Sequence, residues 1–159
     1  MILITVEDKA GEKFLRKKVP DFDFSKLTKK ELGGLILRMK LVMQEANGIG
    51  LSGNQIGLEH RVFVAKQGKK AYVVFNPEIV KESEEKHPME EGCLSVPLSY
   101  GEVERAEKIV VRGRDINGRK VKYKINGLLA RIFQHEIDHL NGVLFIDKAK
   151  EIHKLEKGE

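Results

Sequence analysis

From Leu32 onward the apolar positions Leu32, Leu35, Ile36, Met39, Met43 and Ala46 recur three or four residues apart, which predicts one buried helix face. Thr28-Lys29-Lys30-Glu31 has the form of a capping box before it, and Asn47-Gly48 stops it, with Gly48 as the cap. Shorter apolar runs then predict strands at Arg61 to Ala65, Tyr72 to Asn76 and Glu78 to Glu82, divided by a Gly68-Lys69-Lys70 turn and by Pro77. Ser83 to Pro88 is charged and expected to be exposed.

Farther along, Lys120, Lys122 and Lys124 alternate with Val121, Tyr123 and Ile125, the period of a half-buried strand. It pairs in the prediction with Ile109 to Arg114 across Asp115-Ile116-Asn117-Gly118, whose Asn-Gly favours a tight hairpin turn. Leu128, Ile132, His135 and His139 return to helical spacing, and Asn141-Gly142 ends that helix. Val143 to Ile146 reads as a last strand, and Lys148 to Glu159 as a short solvated helix or frayed end. The N-terminal stretch is polar and suggests no element. The expected fold class is α+β, with antiparallel strands around one central helix, in a single domain spanning 1–159.

Composition excludes several classes. The chain has 159 residues, long enough for its own core, and is 41% hydrophobic. One cysteine rules out an internal disulfide framework and fits a reducing cytoplasm. No apolar run approaches the ~20 residues of a membrane span, and no signal-peptide core is visible. The net charge of +5 comes from basic residues interleaved with acids, and aromatics are 6%, so a solvated surface is expected and no specific nucleic-acid readout.

The candidate chemistry lies in the second helix. His135-Glu136-Ile137-Asp138-His139 places two imidazoles on one face with a carboxylate between them, the arrangement of a metal site with a general base. A catalytic zinc-type site needs a third protein ligand. Cys93, in Glu91-Gly92-Cys93-Leu94-Ser95-Val96-Pro97, is the obvious candidate, in a run read as extended from its Gly to its Pro. A thiolate with two imidazoles suits Zn(II), Fe(II), Co(II) or Ni(II). A third stretch, Asn47 to Gly57, is rich in glycines that let backbone approach a ligand, and carries one amide donor, Gln55, which could equally bond its own loop.

In this order, Gly48-Ile49-Gly50-Leu51 with Gln55, Glu91-Gly92-Cys93-Leu94-Ser95, and Gln134-His135-Glu136-Ile137-Asp138-His139 resemble the three signature motifs of the peptide deformylases. Phe75-Asn76-Pro77-Glu78-Ile79 and Leu140-Asn141-Gly142-Val143-Leu144-Phe145-Ile146-Asp147 extend the likeness, which runs nearly continuously from about residue 27 to 147. The resemblance implies the α+β fold and hydrolysis of the formyl group from formyl-methionine on newly synthesised polypeptides. It implies one divalent metal, Fe(II) in cells, on Cys93, His135 and His139, with Glu136 as acid and base. Gln55 and the Leu94 N–H would donate to the oxyanion. Ile49 and Gly50 would run beside the peptide, while Glu91, Leu128 and Ile132 would shape the methionine pocket, Arg105 pairing with Glu91. It further implies nascent-chain substrates, a transient ribosome contact and a cytoplasmic location.

Two alternatives stay open. H-E-x-x-H also marks metallopeptidases, although those usually take their third ligand downstream. A ribosome-associated protein with a purely structural metal is the other, and it would not need Glu136. One departure also matters. The family usually has Gly-Leu-Ala-Ala-Pro-Gln where this chain has Gly50-Leu51-Ser52-Gly53-Asn54-Gln55, and loss of the stiffening proline predicts looser placement of Gln55.

Overall fold

The computed structural model describes residues 2–156. Its elements run α1 (Lys9–Leu15), α2 (Lys29–Glu45), β1 (Gly50–Ser52), β2 (Val62–Gln67), β3 (Lys70–Glu82), β4 (Lys86–Cys93), β5 (Val96–Ala106), β6 (Lys108–Arg114), β7 (Lys120–Asn126), α3 (Gly127–Leu140) and β8 (Ile152–Lys154). The strands form two antiparallel sheets, ordered β1-β2-β3-β6-β7 and β4-β5-β8. Helix α3 lies between them, contributing to the core against the larger sheet and to the site against the smaller. The α+β expectation is met.

Helix α2 has the capping box its sequence announces. Thr28 Oγ1 accepts from Glu31 N–H and Glu31 Oε1 accepts from Thr28 N–H, both at 3.1 Å. Of its expected face, Leu32, Leu35, Ile36, Met39 and Met43 are buried with Leu51, Val62, Val64 and Phe75 of β1 to β3, while Ala46 is the half-buried C-cap. The left-handed residue that ends it is Asn47, at φ 55°, and not Gly48. Asparagine tolerates that region, so the cap falls one residue earlier than glycine spacing suggests.

The larger sheet rests its other half on α3. Phe63, Val111, Ala130, Phe133, Ile137 and Leu140 form a buried cluster, with Tyr72, Tyr123 and Ile125 packed against it. Rings of Phe63, Tyr72 and Tyr123 meet Phe133 edge-on at 4.9, 5.5 and 5.4 Å. The alternation in β7 is as read: the lysines face out and Val121, Tyr123 and Ile125 face in.

Several expectations need correction. Tyr72 to Asn76 and Glu78 to Glu82 are one strand, because a bulge between Phe75 and Glu78 absorbs Pro77 without ending the ladder. Lys86 to Pro88 belong to β4, although their side chains are exposed as expected. The Cys93 run is not continuous; β4 ends at Cys93, Leu94 and Ser95 turn, and Val96 pairs back with Cys93. The hairpin after β6 takes five residues, 115–119, with Gly118 at φ 78°.

Val143 to Ile146 is not a strand. Leu144 and Phe145 enter a third buried cluster with Leu15, Val96 and Val103, and a single 3-10 turn spans Phe145–Asp147. A short apolar run fixes burial but not conformation. The tail also differs, since Ile152–Lys154 adds to β5 as β8; the last three residues of that predicted tail lie outside the described residues. Helix α1 was unexpected: Asp8 caps it by accepting from Gly11 N–H at 2.9 Å, and it is anchored by fully buried Leu15. Among the described residues no helix is long and apolar enough to cross a membrane.

Candidate active site

Each element delivers its side chains to one cleft. Strand β4 ends at Cys93, and α3 presents His135 and His139 one turn apart on the face turned toward it. The Cys93 Sγ to His139 Nε2 distance is 3.1 Å, and one ligand atom from each of Cys93, His135 and His139 lies within 4.8 Å of the others. A metal bonded at about 2.0 to 2.3 Å to nitrogen and sulfur separates its tetrahedral ligands by roughly 3 to 4 Å, so the group fits one divalent ion.

The electrostatics agree with that fit. Burial, with His135 and Arg105 nearby, lowers the His139 pKa well below its ordinary value and keeps the ring neutral. Burial also opposes charge on His135, but the Cys93 sulfur and the Glu91 carboxylate overcome it and raise its pKa to about 10. The surroundings therefore favour positive charge between the sulfur and this imidazole. His135 Nδ1 lies 2.9 Å from Glu91 Oε1, and a proton donated there leaves Nε2 free for a metal.

Glu91 is the hub of a buried polar network. It accepts from Arg105 Nε at 2.6 Å and Nη2 at 2.9 Å, and from Arg131 Nη1 at 2.5 Å. Arg105 also donates to Asp138 at 2.8 Å. Burial alone would raise the Glu91 carboxyl, yet His135 and Arg105 hold it well below the usual carboxylate range. The expected Arg105–Glu91 pair is present. Glu91 borders the cleft, and its oxygens are engaged by this network.

Glu136 is 4% exposed, and among the described residues its Oε2 finds no hydrogen-bond partner. Burial pushes its carboxyl up to about 7, against the pull of His135 and Arg105. Gly50 accounts for its position, because a Cβ there would stand 2.7 Å from Glu136 Oε1. The glycine loop thus backs the carboxylate as well as bordering the cleft, a contact that sequence spacing does not reveal.

The predicted looseness of Gln55 is overturned. Its Oε1 accepts from Ser52 N–H at 2.9 Å and Ser52 Oγ at 3.1 Å, and its Nε2 donates to Ser95 Oγ at 3.1 Å and faces Cys93 Sγ at 3.6 Å. Asn54, in the place of the proline, accepts from Ser52 Oγ at 2.9 Å and donates to the His139 carbonyl at 2.7 Å. The amide ties the loop to α3, so hydrogen bonds supply the rigidity that a pyrrolidine ring would otherwise give. The loop-bonding reading of Gln55 holds for its carbonyl end, while its Nε2 faces Ser95 Oγ and the Cys93 sulfur.

The cleft is about 430 Å3 and is bordered by Ile49, Gly50, Gln55, Leu94, Leu128, Ile132 and the groups just described. Leu128 is 46% exposed there, whereas Ile132 is 4% exposed. Among the described residues β1 is an edge strand, paired with β2 alone. Arg131 had no place in the reading of the sequence; its position four residues before His135 was the available signal.

A helix-borne H-E-x-x-H pair facing an upstream cysteine, beside a buried glutamate, defines a class: small α+β metallohydrolases whose third protein ligand precedes the helix. A family model described as polypeptide deformylase matches residues 7–155. The peptide deformylase of Halothermothrix orenii is 46% identical over 146 residues, 91% of this chain and 92% of that one. The structure of peptide deformylase from Thermotoga maritima superposes with a TM-score of 0.84 at 37% identity, covering 94% of this chain and 97% of that one. The Synechococcus elongatus enzyme, solved in complex with actinonin, gives 0.86 at 36% identity, covering 95% and 79%. The chain belongs to the polypeptide deformylase family.

Proposed function

We propose that this protein removes the formyl group from the N-terminal formyl-methionine of newly synthesised polypeptides and releases formate, acting in the cytoplasm in transient contact with ribosomes. Cys93, His135 and His139 would hold one divalent ion, Fe(II) in cells, with Zn(II), Ni(II) or Co(II) also accommodated by a thiolate and two imidazoles. When bound, that ion supplies a Lewis acid at neutral pH.

The protein's own residues do the rest. Glu136, with one carboxylate oxygen unpartnered at the cleft, takes a proton from the attacking water and returns it to the departing amine. Gln55 Nε2 and the Leu94 N–H donate to the oxygen on which negative charge develops. Ile49 and Gly50, at the sheet edge, pair with the peptide backbone, a mode of binding that reads no sequence. Leu128 and Ile132 receive the methionine side chain. Glu91, at the border of the same cleft, helps to shape that pocket and accepts from His135 Nδ1.

The observation that carries this reading is the buried, half-unpartnered Glu136 beside the ligand group, within a chain of this family. A closed structural site would have no use for it. The upstream position of Cys93 also separates the protein from metallopeptidases. Formate release from a formyl-Met-Ala-Ser peptide, with anaerobically purified protein loaded with Fe(II), Ni(II) or Zn(II), tests the proposal. The expected result is turnover that Glu136→Ala reduces by about 10²- to 10⁴-fold while one equivalent of metal stays bound. No turnover with any metal in fully loaded protein would overturn it.

A further inference from the structure

We propose that Arg131 is a positioning residue for the metal ligand His135, acting through Glu91. The inference rests on the reading of His135 as a ligand.

An ionised carboxylate has about four acceptor sites, two on each oxygen. Glu91 fills all four from the protein. Oε1 accepts from His135 Nδ1 and Arg105 Nη2, both at 2.9 Å, and Oε2 accepts from Arg105 Nε at 2.6 Å and Arg131 Nη1 at 2.5 Å. Arg105 alone, gripping both oxygens from one side, is a hinge about which the carboxylate can still tilt. Arg131 supplies the donor that blocks that tilt. It can do so because its guanidinium is itself fixed, Nη1 donating to the Val103 carbonyl at 3.0 Å and Nη2 to the His87 carbonyl at 2.6 Å.

The spacing strengthens the point. Arg131 and His135 are one helical turn apart on α3, so the two ends of a single strand carboxylate are held by adjacent rungs of one helix. Any shift of α3 along β4 must break both bonds together. The ring of His135 therefore inherits its orientation from two backbone carbonyls of the small sheet, relayed by Arg131 and Glu91.

Arg61 provides the contrast. It is buried to the same degree, at 7% exposed against 8% for Arg131, and its guanidinium donates to the carbonyls of Leu140 and Pro77 at 3.0 Å and of Val19 at 3.4 Å. It ties α3 to its surroundings just as firmly, but among the described residues it touches no member of the ligand network. A guanidinium that only braces the helix and one that also aims a ligand are thus both present in the chain.

The test compares Arg131→Met with Arg61→Met, using Co(II)-loaded protein. The readouts are the Co(II) dissociation constant by chelator competition and the visible absorption of the thiolate–cobalt centre. Loss of a partner that orients a ligand commonly costs 10- to 100-fold in metal affinity, and one residue farther out the lower end, about tenfold, is expected for Arg131→Met, with altered cobalt bands. Arg131→Lys, which can still reach Glu91 with one donor, should recover affinity to within about threefold. Arg61→Met should lower thermal stability while leaving affinity and spectrum unchanged. Wild-type affinity and spectrum in Arg131→Met would overturn the proposal, as would equal weakening by Arg61→Met, which would mean that any loosening of α3 suffices. Should Arg131→Met not fold, Arg131→Gln takes its place with the same expected loss. His135→Ala keeps the two inferences apart: unchanged Co(II) binding there would refute the ligand assignment itself, whereas lost binding there with unchanged Arg131→Met refutes only the role of Arg131.

Discussion

The two sides of α3 are built on opposite principles. Toward the five-stranded sheet the helix presents Ala130, Phe133, Ile137 and Leu140, all 2% exposed or less, in a cluster of apolar side chains. Toward β4 and β5 it presents Arg131, His135 and Asp138, bonded to Glu91, Arg105 and the Val103 carbonyl. Apolar packing is non-directional and tolerates small displacements, so it stabilises without specifying the angle of a ring. Buried ion pairs add little net stability after desolvation, but each bond has a direction. One side holds the helix in place; the other aims what it carries.

The sharpest way to break this division is Phe133→Ala. The ring meets three aromatic partners, and its removal should cost about 3 to 5 kcal/mol, read by urea unfolding, with activity per folded molecule nearly unchanged. A large loss of activity at full folding would show that the apolar side also sets the site geometry. Glu91→Gln is the counterpart on the polar side. It keeps the shape and removes the charge, and metal affinity should fall about 10- to 100-fold, measured by chelator competition.

Asn54→Pro lies between the two. It restores the ring usual in the family but deletes the bonds to Ser52 and the His139 carbonyl, at a cost of about 1 to 2 kcal/mol in thermal unfolding, and turnover should fall modestly. A rise in turnover would mean that these bonds hold Gln55 away from its best position. The smallest effect belongs to the Arg16–Asp147 pair, which joins α1 to the turn after α3. Partial burial opposes ionisation of Asp147, but Arg16 and the Leu144 N–H lower its pKa below the ordinary 3.8. A lowered pKa gives stability that is complete above the unfolded value and lost as pH falls through the folded one. Asp147→Asn should therefore be less stable than the wild type at pH 6 by no more than ~1 kcal/mol, a gap that narrows as the pH falls below the ordinary 3.8 in acid titrations followed by circular dichroism.

What the amino-acid order determined by itself was whatever depends on neighbours within one turn or one strand. The α2 capping box, the buried stripe of α2, the helical spacing of α3, the alternation of β7 and the H-E-x-x-H pair are all local, so spacing alone made them legible. Cys93 stood out as the one cysteine and the family motifs supported it, and the Arg105–Glu91 pair was anticipated from those motifs. Tertiary structure decided the rest, because the deciding contacts join residues far apart in the chain. Val143 to Ile146 turned instead of extending since Leu144 and Phe145 had a third cluster to fill, and the tail became β8 because β5 offered an open edge. Asn54 read as a loss of rigidity until the His139 carbonyl, 85 positions away, stood opposite its amide. Arg131 read as an ordinary helix residue until β4 and β5 brought Glu91 and two carbonyls to it. A hydrogen bond needs both partners in place, and only the folded chain supplies the second.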